Sequence, residues 1–128
     1  MAGPLPDLAS WLADQLTPLL GGVTASKRRP PDNQNLAGPW LRVTCTGGPT
    51  SWSGHIWSPT IVLEAWADTS DDAHDLSATA TAALQSLEGT IVPDLHLSSV
   101  DVFSACAEAP IDGHPVAITT ATLTIAIN

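Results

Sequence analysis

Basic residues are scarce in this chain: four Lys plus Arg stand against thirteen Asp plus Glu in 128 residues, a formal net charge of −9. Binding along a nucleic-acid backbone depends on Lys and Arg displacing counterions from phosphates, so this balance argues against a dedicated nucleic-acid binder. The one basic cluster, Lys27-Arg28-Arg29, reads as a solvated loop and stands as a candidate contact point for a partner. Cysteine is nearly absent. Cys45 and Cys106 show no CxxC spacing and sit in apolar, strand-like contexts, which suggests reduced, buried thiols and no disulfide framework. Long apolar runs are missing too; none approaches the ~20 residues that cross a bilayer, so no membrane association is expected. The opening MAGPLPDLAS has no basic region followed by an apolar stretch, and Ala2 stands where a myristoylation signal needs Gly. The expectation is a soluble chain made and used in a cytoplasm.

Recognisable chemistry is equally thin. His55, His74, His96 and His114 are scattered without HxxxH or HExxH spacing, and no GxSxG elbow follows a strand. Gly21-Gly22 and Gly47-Gly48 lack the GxGxxG and GxxxxGK[ST] patterns that cradle phosphates. Asp71-Asp72 reads as a dipole partner at a helix start, not as a metal site. No catalytic, metal or cofactor-binding residues are assigned, and no enzyme activity is expected.

What is present fits one domain over residues 1–128, with 44% hydrophobic residues. Asp7 caps a first helix carrying Leu8, Trp11, Leu12, Leu16 and Leu19 at spacings of three and four, with Pro18 threatening the last turn and Gly21-Gly22 ending it. Residues 21–39 are aperiodic turn-formers and charges, expected to be disordered in an isolated subunit. Strands are expected over 40–46 and 60–67, followed by a helix opening near Asp68 with an apolar stripe of Ala73, Leu76, Ala80, Ala83, Leu84 and Leu87. On that helix the hydroxyl residues at 77, 79 and 81 are expected to point outward, free for another subunit. Further strands are expected at 95–103 and 116–127; the second alternates in two phases, which a bulge near Thr119-Thr120 would reconcile. The element order reads as α+β, a mostly antiparallel sheet with two helices packed on one face.

Residues 46–59, TGGPTSWSGHIWSP, raise a separate question, because Trp52, His55 and Trp57 occupy a connection that is ordinarily polar. Two readings stand: aromatic anchors for a partner, flanked by adaptable Ser and Gly, or rings folded back over their own sheet edge. Trp11, Trp40 and Trp66 are assigned to the core, Trp66 to core or helix packing.

Read as one string, residues 39–89 follow the pattern P-x-h-R-V-T-x-x-G-G, a loop, P-x-h-x-h-x-x-W-A, then a helix with A-x-x-L spacing ending in L-x-G, where h is apolar. The matching residues are Pro39, Arg42, Val43, Thr44, Gly47, Gly48, Pro59, Trp66, Ala67, Ala73, Leu76, Leu84, Leu87 and Gly89. In this the chain resembles the tail terminator (tail-completion) proteins of long-tailed bacteriophages, of the type infecting actinobacteria. The likeness spans residues 5–127 and is poor over 90–115.

The resemblance implies a homo-hexameric ring without cofactor at the head-proximal end of the tail tube. The ring would stop polymerisation of the tube protein and join the tail to the head connector or stopper protein. Its place would be the virion head–tail junction, after assembly in the host cytoplasm, with DNA passing through the lumen unbound. An acidic chain suits such a conduit, since it repels phosphates. The same size and acidity would also suit a head-completion (stopper) protein of the neck, or a small cytoplasmic ligand-binding α+β domain.

Overall fold

Asp7 starts the first helix with its own side chain: Oδ1 accepts the backbone N–H of Ser10 at 3.2 Å, satisfying one of the donors that a helix start leaves open. Behind it, α1 (Leu8–Leu16) turns Leu8, Ala9, Leu12, Ala13 and Leu16 inward. Pro18 does not break the last turn. The chain tightens there into a 3₁₀ turn over Thr17–Leu20 with the proline near its start, where its missing N–H costs nothing. Gly21 follows with φ 64°, a left-handed stop. The computed structural model describes residues 5–30, 38–51, 55–93 and 95–127.

The strands are β1 (Thr24–Ser26), β2 (Trp40–Cys45), β3 (Thr50–Ser51), β4 (Ile56–Trp57), β5 (Thr60–Trp66), β6 (Ile91–Val92), β7 (Leu95–Glu108) and β8 (Val116–Ile127). Helix α2 (Ser70–Ser86) separates β5 from β6. Across the sheet the order runs β1-β2-β5-β8-β7-β6. The β3–β4 hairpin continues the row of β5 alongside the far end of β8. Only the β1–β2 pairing is parallel among the described strands. Helix α1 packs over β1 and β2, and α2 over β5, β7 and β8.

Leu41, Val43, Ile61, Leu63, Ala65, Leu97, Ala121, Leu123 and Ile125 point at the helices and are fully buried. The fold is α+β, a mostly antiparallel sheet with its helices on one face.

Three sequence expectations are corrected. The aperiodic run 21–39 contains a strand: Val23 and Ala25 pack against the core and carry β1 onto β2 in the register Thr24↔Trp40. Part of the disorder expected there, over 31–37, lies outside the described residues. The bulge expected in β8 is absent; β8 pairs with β5 without a break from Val116 to Thr122. Its apparent phase change arises because Thr119 is a polar residue at an inward position, 1% exposed. The irregularities lie instead in β7, at 97/99, 102/104 and 104/107.

Ser77 and Thr81 do not face outward either. Both are buried against Thr119, and Thr79 alone of the three is exposed. Thr81 Oγ1 donates to the Ser77 carbonyl at 2.8 Å and lies 2.8 Å from Thr119 Oγ1, which is 3.1 Å from Ser77 Oγ. The Cys106 N–H donates to the same Thr119 oxygen at 3.2 Å. A hydroxyl has one proton and two lone pairs. With the Thr81 proton spent on Ser77, Thr119 donates to Thr81 and accepts from Ser77 and Cys106, so every group in the cluster is satisfied. Cys106 itself sits at φ 57°, the left-handed region that costs a side-chain-bearing residue roughly 1–2 kcal/mol, and it marks the last register shift of β7.

Thr119→Val keeps the shape and strands the groups around it, and an unsatisfied buried group costs about 1–3 kcal/mol. Urea denaturation is therefore expected to show a loss of that size for Thr119→Val. Thr122→Val, on the opposite face, is expected to stay within about 0.5 kcal/mol of wild type. Equal effects at the two positions would refute the hub.

Candidate interaction surface

The connection carrying the loop aromatics is held by backbone bonds at its base. Thr46 N–H donates to the Thr60 carbonyl at 2.9 Å, Thr60 N–H to Gly47 at 2.8 Å, and Ser58 N–H to Pro49 at 2.9 Å. Gly48 passes so close to the Ser58 carbonyl that no Cβ fits there. Trp57 uses this tight base. Its ring is 5% exposed and belongs to the hydrophobic core, and Nε1 donates to the Gly48 carbonyl at 3.2 Å. Trp57 is thus a core residue and not an exposed partner anchor; the strand register that sets Trp57 opposite Ile125 turns its side chain inward. His55 is half-buried, and its carbonyl accepts the Ile127 N–H at 2.8 Å. Trp52 lies outside the described residues.

The basic cluster is a solvated loop, as expected, with Lys27, Arg28 and Arg29 all exposed, but it is tied down at several points. Lys27 Nζ meets Asp7 Oδ2 at 2.7 Å, and the Lys27 carbonyl accepts from Arg42 Nε at 3.4 Å. The Arg28 carbonyl accepts from Trp40 Nε1 at 2.8 Å. Arg29 Nε stands 4.0 Å from Glu64 Oε1, with its guanidinium 5.9 Å from the Trp66 ring centroid. Lys27 is thus tied to the start of α1, while Arg28 and Arg29 reach Trp40, Glu64 and Trp66 on the sheet face that the helices leave uncovered.

Glu64 is the centre of that attachment. Buried at 7% exposure, it receives Arg42 Nη1 at 3.3 Å on one oxygen and Trp66 Nε1 at 3.1 Å on the other. A carboxylate so placed needs such partners, because desolvation without them costs several kcal/mol. Trp66 is buried as expected but on the face away from the helices, 5.8 Å from the His114 ring. Trp40 is only half-buried on that same face. The two groups of candidate residues are not brought together: the β3–β4 hairpin adjoins the Thr60 end of β5, while Arg29 meets the Glu64–Trp66 end. Among the described residues no three His, Cys, Asp or Glu side chains converge as metal ligands. An open groove of about 250 Å³ beside the start of α2 is lined by Ser70, Ala73, Glu108, Pro110 and neighbours, and Ser70 Oγ donates to Glu108 there at 2.9 Å.

Sequence reasoning missed Glu64, whose signal was a lone acid inside the apolar strand TIVLEAWA, two positions from Trp66.

Two outcomes follow from these contacts. Trp57→Ala is expected to lower folding stability by about 3–5 kcal/mol in thermal or chemical denaturation, as for any large core aromatic; an unchanged melting temperature would return Trp57 to the surface. The Lys27 hydrogen bond first, then the Ser10 N–H, holds the Asp7 carboxyl below its ordinary value of 3.8. A depressed folded-state value stabilises above the unfolded value and is lost as pH falls through the folded one. The stability gap between wild type and Asp7→Asn should therefore be present at neutral pH, begin to shrink near pH 3.8 and close below it. As an exposed pair it should also shrink with salt. A gap independent of pH would refute the ion pair. As for known proteins, no family model matches this chain and no curated protein matches it in sequence.

Proposed function

We propose that this chain is a structural tail terminator of a long-tailed bacteriophage. In this reading six copies form a ring on the head-proximal end of the tail tube, stop its polymerisation and offer the head connector its docking surface. The ring acts at the virion head–tail junction, binds no cofactor, performs no catalysis and lets DNA pass without holding it.

The observation that supports this reading most is the order of parts over residues 39–89, together with what the family-like positions do. Val43, Trp66, Ala67, Ala73, Leu76, Leu84 and Leu87 are buried, and Gly47 and Gly89 turn the chain at positive φ. The resembling residues are thus the ones that build the strand–strand–helix unit, so the likeness is one of architecture. The acidic balance accords with a channel wall that repels phosphates.

The test is to add purified protein to tail tubes polymerising from the tube protein of a phage that encodes this chain. The expected outcome is tubes of fixed length, each bearing a six-fold ring at one end in electron micrographs, with at least ~1,000 Å² buried per subunit contact. Tubes that keep growing with bare ends would refute the role.

A further inference from the structure

The two edges of the sheet differ in charge and in what covers them. All four Lys and Arg residues lie on β2 or just after β1, at one edge. Lys27, Arg29 and Arg42 meet the two carboxylates of Asp7 and Glu64, three cations to two acids, in a chain of net −9. Arg28 is exposed and pairs with no acid among the described residues.

The opposite edge is β7. Its first half is closed: β6 pairs with Leu95 and His96, Leu97 exchanges bonds with Gly89 and Thr90, and Glu88 Oε1 accepts the Val100 N–H at 2.9 Å. From Asp101 to Glu108 no strand pairs with the outer side among the described residues. That stretch carries two acids and no base, and its Phe103 is 65% exposed.

The register sets the two edges at one height. Trp40 is opposite Trp66, Trp66 opposite Val116, and Ala109, next after β7, donates its N–H to the Val116 carbonyl. Arg28 and Arg29, bound to Trp40 and beside Trp66, therefore stand level with the Glu108 end of β7. An unlike pair of edges at equal height suits a head-to-tail contact, which closes into a ring when its rotation allows.

We propose that copies of this chain associate head to tail, the open β7 edge (Asp101–Glu108) of one copy lying against the basic β1 edge with Lys27–Arg29 of the next. Phe103 supplies the apolar anchor of the contact, and Arg28 with Glu108, exposed at the same height, supplies charge attraction. The inference rests on the ring reading above and specifies which surfaces join.

Light scattering and sedimentation of the full chain test it. Wild type is expected to self-associate as concentration rises and to dissociate as salt is added. Arg28→Glu and Glu108→Lys, both at exposed sites, should each weaken association about tenfold or more. Mixed one to one, the two variants should restore it, because each then meets an opposite edge. Phe103→Ser should weaken association without lowering the melting temperature. A wild type monomeric up to ~1 mM, far above the micromolar range of specific association, would overturn the proposal. So would an Arg28→Glu variant that assembles normally, or a mixture no better than its parts. A chain that assembles this way but leaves tail tubes uncapped refutes the terminator role alone.

Discussion

One threonine oxygen ties together three parts of the molecule that would otherwise meet only through apolar contact. Thr119 Oγ1, on the central strand β8, takes up Ser77 and Thr81 from α2 and the Cys106 N–H from β7. Apolar packing is nondirectional and would let α2 slide along the sheet by a turn. The hydroxyl cluster is directional, and a slip in either strand or helix leaves its members buried without partners. It also gives the displaced Cys106 N–H a partner, so the left-handed backbone at that position loses no hydrogen bond. The register of the edge strand thus depends on a bond formed beneath it.

On the other face of the sheet the organising group is a carboxylate. Glu64 holds Arg42 from the neighbouring strand, the indole N–H of Trp66 and, more distantly, Arg29 from the segment after β1. The chain has few cations, and three of its four are used in pairs that close the β1 edge. Its scarce positive charge is spent where a three-residue strand has little else to hold it. Asp101 and Glu108 lie on the opposite edge with no base beside them along β7, and this gives the two sheet edges unlike charge.

Much of the architecture is legible in the sequence. Asp7 at the start of α1, the alternation of β2 and β5, and the apolar stripe of α2 each follow one period or one cap, and these are local signals. What escaped detection depends on pairing. The three residues of β1 are too short for a period and become a strand only because β2 is beside them. Thr119 breaks the alternation of β8 by sequence, yet keeps it in space, since a polar side chain can occupy an inward position when three partners converge on it. Ser77 and Thr81 look like a solvent face until those partners are known. The surface was less legible than the core. Lys27–Arg29 stood out by composition, but that its members are bound to Asp7, Trp40 and Glu64 follows from contacts across 12 to 35 positions of chain. Trp57 looked like an anchor in a loose loop because the hairpin that buries it is two short strands paired through β8.

The central position of β8 also governs the order in which the chain is completed. Residues 116–127 separate β5 from β7 and are hydrogen-bonded to both, so the strands made earlier have no sheet centre to join until this segment exists. During synthesis α1 to β7 can form local helices and the β2–β5 pair, but Ile61, Leu63 and the inner side of α2 remain open to water. Closure comes late and brings together contacts far apart in sequence, a topology that folds slowly. Until then the nascent chain exposes its future core, and its heavy negative charge keeps such half-made chains apart.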